Sequence, residues 1–545
     1  MPLCDLQLLA TLAYSAQFNF PLTLSEISKR LVTPKVLQEC FQNIECKSED
    51  KCCQQLSHDN EIATHSAQKQ PHPFPILSKI AREKAKRLDE LSARLAWLNQ
   101  LGLVACQDGL FGATTQKNHF DSIDKWRSWR DARFDKTTSI RRQAESLLRF
   151  AIYLDWIMAI GVTGSCAVDG ALDDDDLDLV VITKPHRLWL TRAIILLYAI
   201  LKGKKKIGDD KKIVQSNAIG DHVSTTKQSS SSEWCFNLWL DQQHLELPLE
   251  KRSLYTAYEV VQTQWLVDKE NVSSRFLSEN KWLTSYLEWE ELKDEPRQDS
   301  FISDKKKNKI QLPDLFYWPI TIGLNWLDRL FGWIATSHLT SITRIPQDNL
   351  TNHQAFMHDR SSCNFYLERW QQLYQDLFWH YLPVHLQLSL KSAHQKNIPL
   401  GLITGVFDLL HQGHLLFLNK AKEAITRLKG QLIIGVESDA RVKQVKGESR
   451  PIETAASRIT RLISLNLAQA VFVLPQEFDQ PAHHQQLLEL IKPEVLYVSQ
   501  DSPHLQEKEK LLSRCHGRVE VVCPRDKRYS TTQKLQQLQV EPHQG

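Results

Sequence analysis

The chain has 545 residues, enough for about three or four domains at the usual ~100–200 residues each. Lys plus Arg number 67 against 64 Asp plus Glu, a net charge of +3, and 42% of residues are hydrophobic. That composition excludes a disordered chain and does not call for nucleic acid as the partner. Eleven cysteines, odd in number and scattered, exclude a small disulfide framework and point to a soluble protein of a reducing compartment, here the cytoplasm.

The opening MPLCDLQLLATLAYSAQ lacks a basic segment ahead of its apolar run, so no signal peptide is expected. LQLLATLAYSAQ and LTLSEISKRLV read as helices, with Thr23 or Ser25 as cap of the second. An insertion with Cys40, Cys46, Cys52, Cys53, His58, His65 and His72 follows; no C-x2-C pair has a partner pair, and a polar loop is expected rather than a zinc site. A long basic amphipathic helix then leads to LVACQ and LFGAT, two strands around an Asp-Gly turn. Three helices and a hairpin are the order of a winged helix, so 1–115 is expected to be winged-helix-like with a polar insertion. It serves either DNA contact or as a cap on the next domain, and the mild charge favours the cap.

Residues 138–157 read as a helix, MAIGVTG and LDLVVIT as strands, 186–203 as a helix and WCFNLWLDQ as a strand. The Lys-, Gly- and Ser-rich run 203–233 is expected to be a disordered loop. In GVTGSCAVDGALDDDDLDLVVIT, Gly164-Ser165 ends one strand and Asp176 and Asp178 open the next. Alternate strand residues face the same way, so the two carboxylates converge and would repel without a divalent cation; Mg2+ suits oxygen ligands completed by substrate phosphates. Asp173, Asp174 and Asp175 can be a solvated turn. This pattern resembles the DNA-polymerase-β-type nucleotidyltransferase fold, a central α+β domain over 140–262. The resemblance implies a nucleotide site at Gly164 and Ser165 and a metal held by Asp176, Asp178 and a third carboxylate. Asp241 is the candidate, and Asn237 in that place would make the site weak or inactive. Residues 263–395 read as a helical connecting region. Within it, LFYWPITIGLNWLDRLFGWIA is interrupted by Asp328 and Arg329 short of the ~18–20 apolar residues that span a bilayer, so a buried or interfacial helix is expected.

From 396 to 545 strands and helices alternate: LGLITG, QLIIGVE, AVFVLP, VLYVS and VEVVCP between helices, which predicts a Rossmann-like parallel sheet covered on both faces. The first strand runs into GVFDLLHQGHLLFL. His411 and His414, one helical turn apart, sit where unpaired N–H groups and the helix dipole already favour an anion. Gly405 lets the backbone approach a phosphate. Arg441, Lys443, Lys446 and Arg450, then Arg458 and Arg461, are the cations a triphosphate needs, and Ser530, Thr531 and Thr532 open the last helix with further donors.

GVFDLLHQGH, VKGESRP and YSTT, in that order, resemble the cytidylyltransferase-like (H-x-G-H) branch of the nucleotidyltransferases, most of all the adenylyltransferase half of ADP-heptose synthase, and more distantly glycerol-3-phosphate cytidylyltransferase. The resemblance implies that His411 and His414 hold the α-phosphate in transit. It implies that Thr404, Gly405 and Phe407 contact the nucleotide. Arg441, Lys446 and Arg450 would serve the phosphate tail or an acceptor phosphate, and Ser530–Thr532 the β- and γ-phosphates. Two departures stand out. Gln500 precedes Asp501 where the family has Gly-Asp, and Leu416 replaces a lysine of the glycerol-phosphate enzymes.

The expectation is a multidomain α/β nucleotidyltransferase. It joins a nucleoside monophosphate from ATP or CTP to a phosphorylated small-molecule acceptor, a sugar or polyol phosphate, with Mg2+ on the nucleotide, and a homo-oligomer is left open. Two alternatives remain: a regulatory or scaffolding protein whose nucleotide sites only sense ligand, and a chain whose central domain is the active one, modifying RNA, protein or a small molecule.

Overall fold

The computed structural model describes residues 3–40, 75–114, 126–172, 175–204, 233–288, 314–342, 345–357, 360–500 and 502–523. The insertion from Cys46 to His72, nearly all of the 203–233 loop, Asp173, Asp174, Asp501 and Ser530–Thr532 lie outside them.

The N-terminal region contains α1 (Leu3–Ala16), β1 (Leu22–Thr23), α2 (Leu24–Lys29), α3 (Pro34–Glu39), α4 (Pro75–Gln100), β2 (Val104–Gln107) and β3 (Leu110–Ala113). The strands pair in the order β1-β3-β2, all antiparallel. Thr23 caps α2 in a reciprocal capping box with Glu26, which satisfies orphan N–H groups at the helix start. Asp108 and Gly109 both take positive φ, 51° and 76°, as a two-residue hairpin turn of the primed type requires.

The central sheet is built from β4 (Ile157–Val162), β5 (Leu177–Thr183), β6 (Trp234–Asp241), β7 (Gln264–Asp268) and β8 (Gln354–Phe356), in the order β7-β4-β5-β6-β8. Only β5 and β6 run parallel. Around it lie α5 (Trp126–Gln143), α6 (Glu145–Ile152), α7 (Leu188–Leu201), α8 (Leu254–Gln262), α9 (Val272–Glu279), α10 (Asp314–Ile342) and α11 (Arg360–Gln395). The region beyond 262 is therefore not a purely helical connector, because β7 and β8 complete the central sheet; strands of three to five residues are too short to show a period. The helix expected over 138–157 breaks at Ala144 and stops at Ile152, and Ile157 already belongs to β4. An apolar run that continues from helix into strand hides that boundary. The apolar 315–335 stretch lies in α10, and no described helix is long and apolar enough to cross a membrane. Asp328 is buried and accepts the backbone N–H of Leu190 at 2.8 Å, serving the N-terminus of α7.

The C-terminal domain alternates β9 (Leu400–Gly405), α12 (Gln412–Arg427), β10 (Gln431–Val436), α13 (Asp439–Lys446), α14 (Ala455–Ser464), β11 (Ala470–Val473), α15 (Pro481–Ile491), β12 (Val495–Ser499), α16 (Leu505–Ser513) and β13 (Arg518–Cys523). The five strands pair in parallel in the order β11-β10-β9-β12-β13. Leu418, Ala421 and Ile425 bury one face of α12, while Ile433, Ala470, Leu496 and Val498 belong to an apolar cluster with the end of α11 through Leu386, Leu390 and Ala393. Such doubly covered strands read as near-continuous apolar runs. The chain winds outward from β9 to β11 and then returns to add β12 on the other side. The crevice between the carboxyl ends of β9 and β12 is where open α/β sheets take ligands.

The N-terminal region is built into this framework. α1 is buried from Asp5 to Ala16 and packs on α11, and α3 packs on α14. Asp5, fully buried, is held by Arg94 through Nε at 2.7 Å and Nη2 at 2.5 Å, and by the Tyr381 hydroxyl at 2.6 Å.

Candidate functional site

Thr404 and Gly405 end β9 at the crevice, Thr404 exposed. The chain then turns through Phe407 and Leu409, both left-handed at φ 55° and 51°, a conformation that persists in side-chain-bearing residues only when neighbours enforce it. The enforcement comes from Asp408. Its buried carboxylate accepts Arg450 Nη1 at 2.9 Å and the backbone N–H groups of Ile452 and Glu453 at 3.0 Å each. Gly405 is small for a local reason as well: a Cβ there would lie 3.0 Å from the Phe407 ring.

His411 is the N-cap of α12, extended at φ −127° and ψ 171°, and its Nδ1 accepts the backbone N–H of His414 at 3.3 Å. In the neutral ring the proton is thus on Nε2, which makes that nitrogen a donor. The two rings stack with centroids 3.8 Å apart and planes 18° from parallel, and Phe407 lies 5.6 Å from His414. The pair expected on one side of the helix is on one side, at the helix start, beside the sheet crevice.

The segment between β10 and α14, which carries Arg441, Lys443, Lys446 and Arg450, contains the helix α13, capped by Ser438 on Arg441 N–H. Arg441 Nε lies 3.3 Å from Glu437, and burial pushes the Glu437 carboxyl up against the pull of Arg441, Arg458 and Lys446. Lys443 and Lys446 occupy the exposed last turn of α13. Arg450 stands on Asp408, so its place is at the base of the β9–α12 loop. Arg458 is not available to a phosphate. Arg458 is 1% exposed and donates to the carbonyls of Glu453 at 2.9 Å, Val406 at 2.5 Å and Glu437 at 2.9 Å and to Asp439 at 2.6 Å, tying together three loops. Arg461 pairs with Glu453 at 2.5 Å. One-dimensional spacing registers a cation, whereas burial decides whether it is available.

In the central domain, Asp176 and Asp178 flank the start of β5 as expected. Asp176 accepts the backbone N–H of Glu233 at 3.0 Å and faces Cys235 Sγ at 3.5 Å, and Asp178 accepts Asn237 Nδ2 at 2.6 Å. Gly164 takes φ 65°, and a Cβ there would come within 2.6 Å of Asp178 Oδ2; its N–H donates to Glu259 of α8 at 3.0 Å. Ser165 is the second residue of the 3-10 turn Gly164–Val168. Burial pushes both Asp178 and Glu259 up to about 7, with Glu259 and Asp176 adding to the rise at Asp178. Asp176, Asp178 and Glu259 thus form an acidic cluster around Gly164.

Asp241 does not join them. In the parallel β5–β6 register Asp178 pairs with Cys235 and Asp241 with Thr183, so Asp241 lies at the opposite end of the strands, roughly 17–20 Å away at ~3.3 Å per residue. The place beside Asp178 belongs to Asn237, and the further nearby carboxylate is Glu259. An acid on a packing helix outside the Gly-Ser…Asp-x-Asp pattern carries no sequence signal for this role.

The parallel sheet, its topological switch at β9 and the paired imidazoles at a helix N-terminus define an α/β domain with a candidate anion site at the carboxyl edge of its sheet. Residues 402–536 match the family described as Cytidylyltransferase-like. The bifunctional protein HldE of a Nitratiruptor species is 37% identical over 116 residues, covering 21% of this chain and 23% of that protein. The bifunctional protein HldE of Helicobacter pylori (strain Shi470) is 38% identical over 120 residues, 22% of this chain and 24% of that protein. This chain thus spans about a quarter of the length of the curated relatives it matches. Among solved structures, the lipopolysaccharide core biosynthesis protein from Thermoplasma volcanium GSS1 matches with 22% identity over 23% of this chain and 96% of that chain, at a TM-score of 0.19.

Proposed function

We propose that residues 396–545 transfer a nucleoside monophosphate from ATP or CTP to a sugar or polyol phosphate and release pyrophosphate. The observation that carries this reading is the stacked His411–His414 pair at the N-terminus of α12, the helix that follows β9 at the switch point of the sheet. Ring N–H donors and the helix start hold the α-phosphate while charge builds on its oxygens, and the acceptor phosphate attacks in line. Thr404, Gly405 and Phe407 shape the nucleotide side. Arg441 and Lys446 receive the phosphate tail, with Ser530–Thr532 supplying donors to the β- and γ-phosphates. Arg450 acts through Asp408, holding the loop that carries the histidines. Mg2+ bound with the nucleotide would neutralise charge on the departing pyrophosphate. Such transfer needs no covalent enzyme intermediate, so positioning and electrostatics supply the acceleration.

The central sheet serves as a polymerase-β-type scaffold whose Asp176 and Asp178, with Gly164 and Ser165, hold a metal–nucleotide group. Asn237 in place of a third carboxylate weakens this second site relative to the first. The winged-helix-like N-terminal region acts as a cap, consistent with the burial of α1 on α11.

Pyrophosphate release from each NTP with pooled sugar phosphates tests the reading. His414→Ala is expected to lower turnover about 10²–10³-fold, the scale of removing one preorganised donor, while Asp176→Asn leaves it intact. Release retained in His414→Ala and lost in Asp176→Asn would place the chemistry in the central domain. Nucleotide binding without release for any acceptor would make the chain a nucleotide sensor.

A further inference from the structure

Asp241, displaced from the Asp176–Asp178 pair, has a cluster of its own. It ends β6 and is fully buried. Its Oδ1 accepts the backbone N–H of Gln243 and faces His244 Nδ1, both at 2.8 Å, and its Oδ2 faces His353 Nδ1 at 2.7 Å. The two imidazoles stack at 3.9 Å between centroids with planes 26° apart, and both are partly exposed. The backbone holds this arrangement from both sides. Asp241 N–H donates to the His353 carbonyl at 2.8 Å, and Gln354 Nε2 donates to the carbonyls of His244 and Glu246 at 2.8 Å each.

A carboxylate wholly removed from water needs a compensating charge. Among the described residues the side chains that face Asp241 are these two imidazoles, and no Lys or Arg pairs with it, so no permanently charged side chain balances the carboxylate. One oxygen and two nitrogen ligand atoms, all within 4.8 Å of one another, supply the donor set of a borderline-soft dication and not of Mg2+, which demands oxygen.

We propose that Asp241, His244 and His353 bind one transition-metal dication of the zinc class, with water from the exposed side as the fourth ligand. In the bound form each ring ligates through Nδ1 and keeps one proton on Nε2, any second ring proton leaving to water. The oxygen–nitrogen contacts widen to the ~3–3.5 Å that ligands about 2.0–2.2 Å from a tetrahedral ion require. The ion would be structural, because it joins the end of β6 and the 242–246 loop to the turn before β8, an edge strand of three residues paired to β6 alone among the named strands. This site stands at the far end of the sheet from Asp178 and is independent of the nucleotide chemistry.

The test titrates metal-free full-length protein with Zn2+ against a chromophoric chelator, with melting temperature and the visible spectrum of the Co2+ form as further readouts. One equivalent bound, a raised melting temperature and a Co2+ spectrum without the intense thiolate charge-transfer band are expected. His353→Ala and His244→Ala are expected to weaken binding by more than the ~10–100-fold that outer-shell changes produce and to abolish the thermal shift, whereas Glu250→Gln, at an exposed carboxylate outside both clusters, keeps both. Should His353→Ala fail to fold, His353→Gln, checked by circular dichroism, carries the comparison. Absence of stoichiometric Zn2+ binding, or binding unchanged in both histidine variants, overturns the proposal and leaves a hydrogen-bonded clasp.

Discussion

Asp408→Ala tests how the β9–α12 loop is held. The wild-type carboxylate accepts one guanidinium and two backbone N–H groups in a buried setting. Hydrogen bonds to a charged group contribute about 1.5–3 kcal/mol each, but they are not additive, and Arg450 regains some water when released. Losing the buried partner is therefore expected to cost about 3–5 kcal/mol locally. At about 1.4 kcal/mol per tenfold, that is a faster opening of the 405–411 and 452–454 segments by two to four powers of ten. Hydrogen exchange read by mass spectrometry on those peptides measures it, with the central sheet as an internal control. Asp408→Asn, which keeps a carbonyl for the N–H groups but not the charge for Arg450, is expected to fall between. Wild-type exchange at both segments in Asp408→Ala would refute the argument that this carboxylate enforces the left-handed turns at Phe407 and Leu409.

Two further outcomes follow from buried groups. Arg458→Met strips the donors from three carbonyls and from Asp439, and is expected to destabilise the C-terminal domain by about 3–5 kcal/mol in chemical denaturation; unchanged stability would contradict the assignment of Arg458 as an internal tie. His385, buried in α11 beside Trp97 and Tyr381, is pushed down to about 3 by burial. Its folded value lies below its unfolded value, so its contribution is complete above about 6.5 and is lost as pH falls from there toward 3, at up to about 1.4 kcal/mol per pH unit. His385→Gln is expected to flatten that part of the stability profile; identical acid limbs in the two proteins would contradict it.

The C-terminal domain was the most legible part because each level agreed with the next. Runs such as QLIIGV and VLYVS are apolar throughout, as strands buried on both faces must be, and the His411–His414 spacing placed both rings correctly. The roles of the charges were less legible. Arg458 and Arg450 look like phosphate ligands in one dimension, yet one is fully internal and the other is committed to Asp408. Asp408 itself lies inside the quoted motif but gains meaning only from backbone N–H groups more than forty residues away. In the central domain the Asp176–Asp178 alternation was readable from the strand period. Assigning Asp241 to the same site failed because a parallel pairing register, which put Asp241 opposite Thr183, is not written in strand composition. The short strands β7 and β8 were hidden for a related reason: their partners lie roughly a hundred residues away, and four or fewer apolar residues carry no period.

The most direct test of the central claim is a crystal structure of the full chain with ATP or CTP and Mg2+. The α-phosphate is expected within hydrogen-bonding distance of the His411 and His414 rings at the start of α12, with the nucleotide lying across the β9–β12 crevice. A nucleotide bound only at Asp176 and Asp178, with the crevice unchanged, would contradict it.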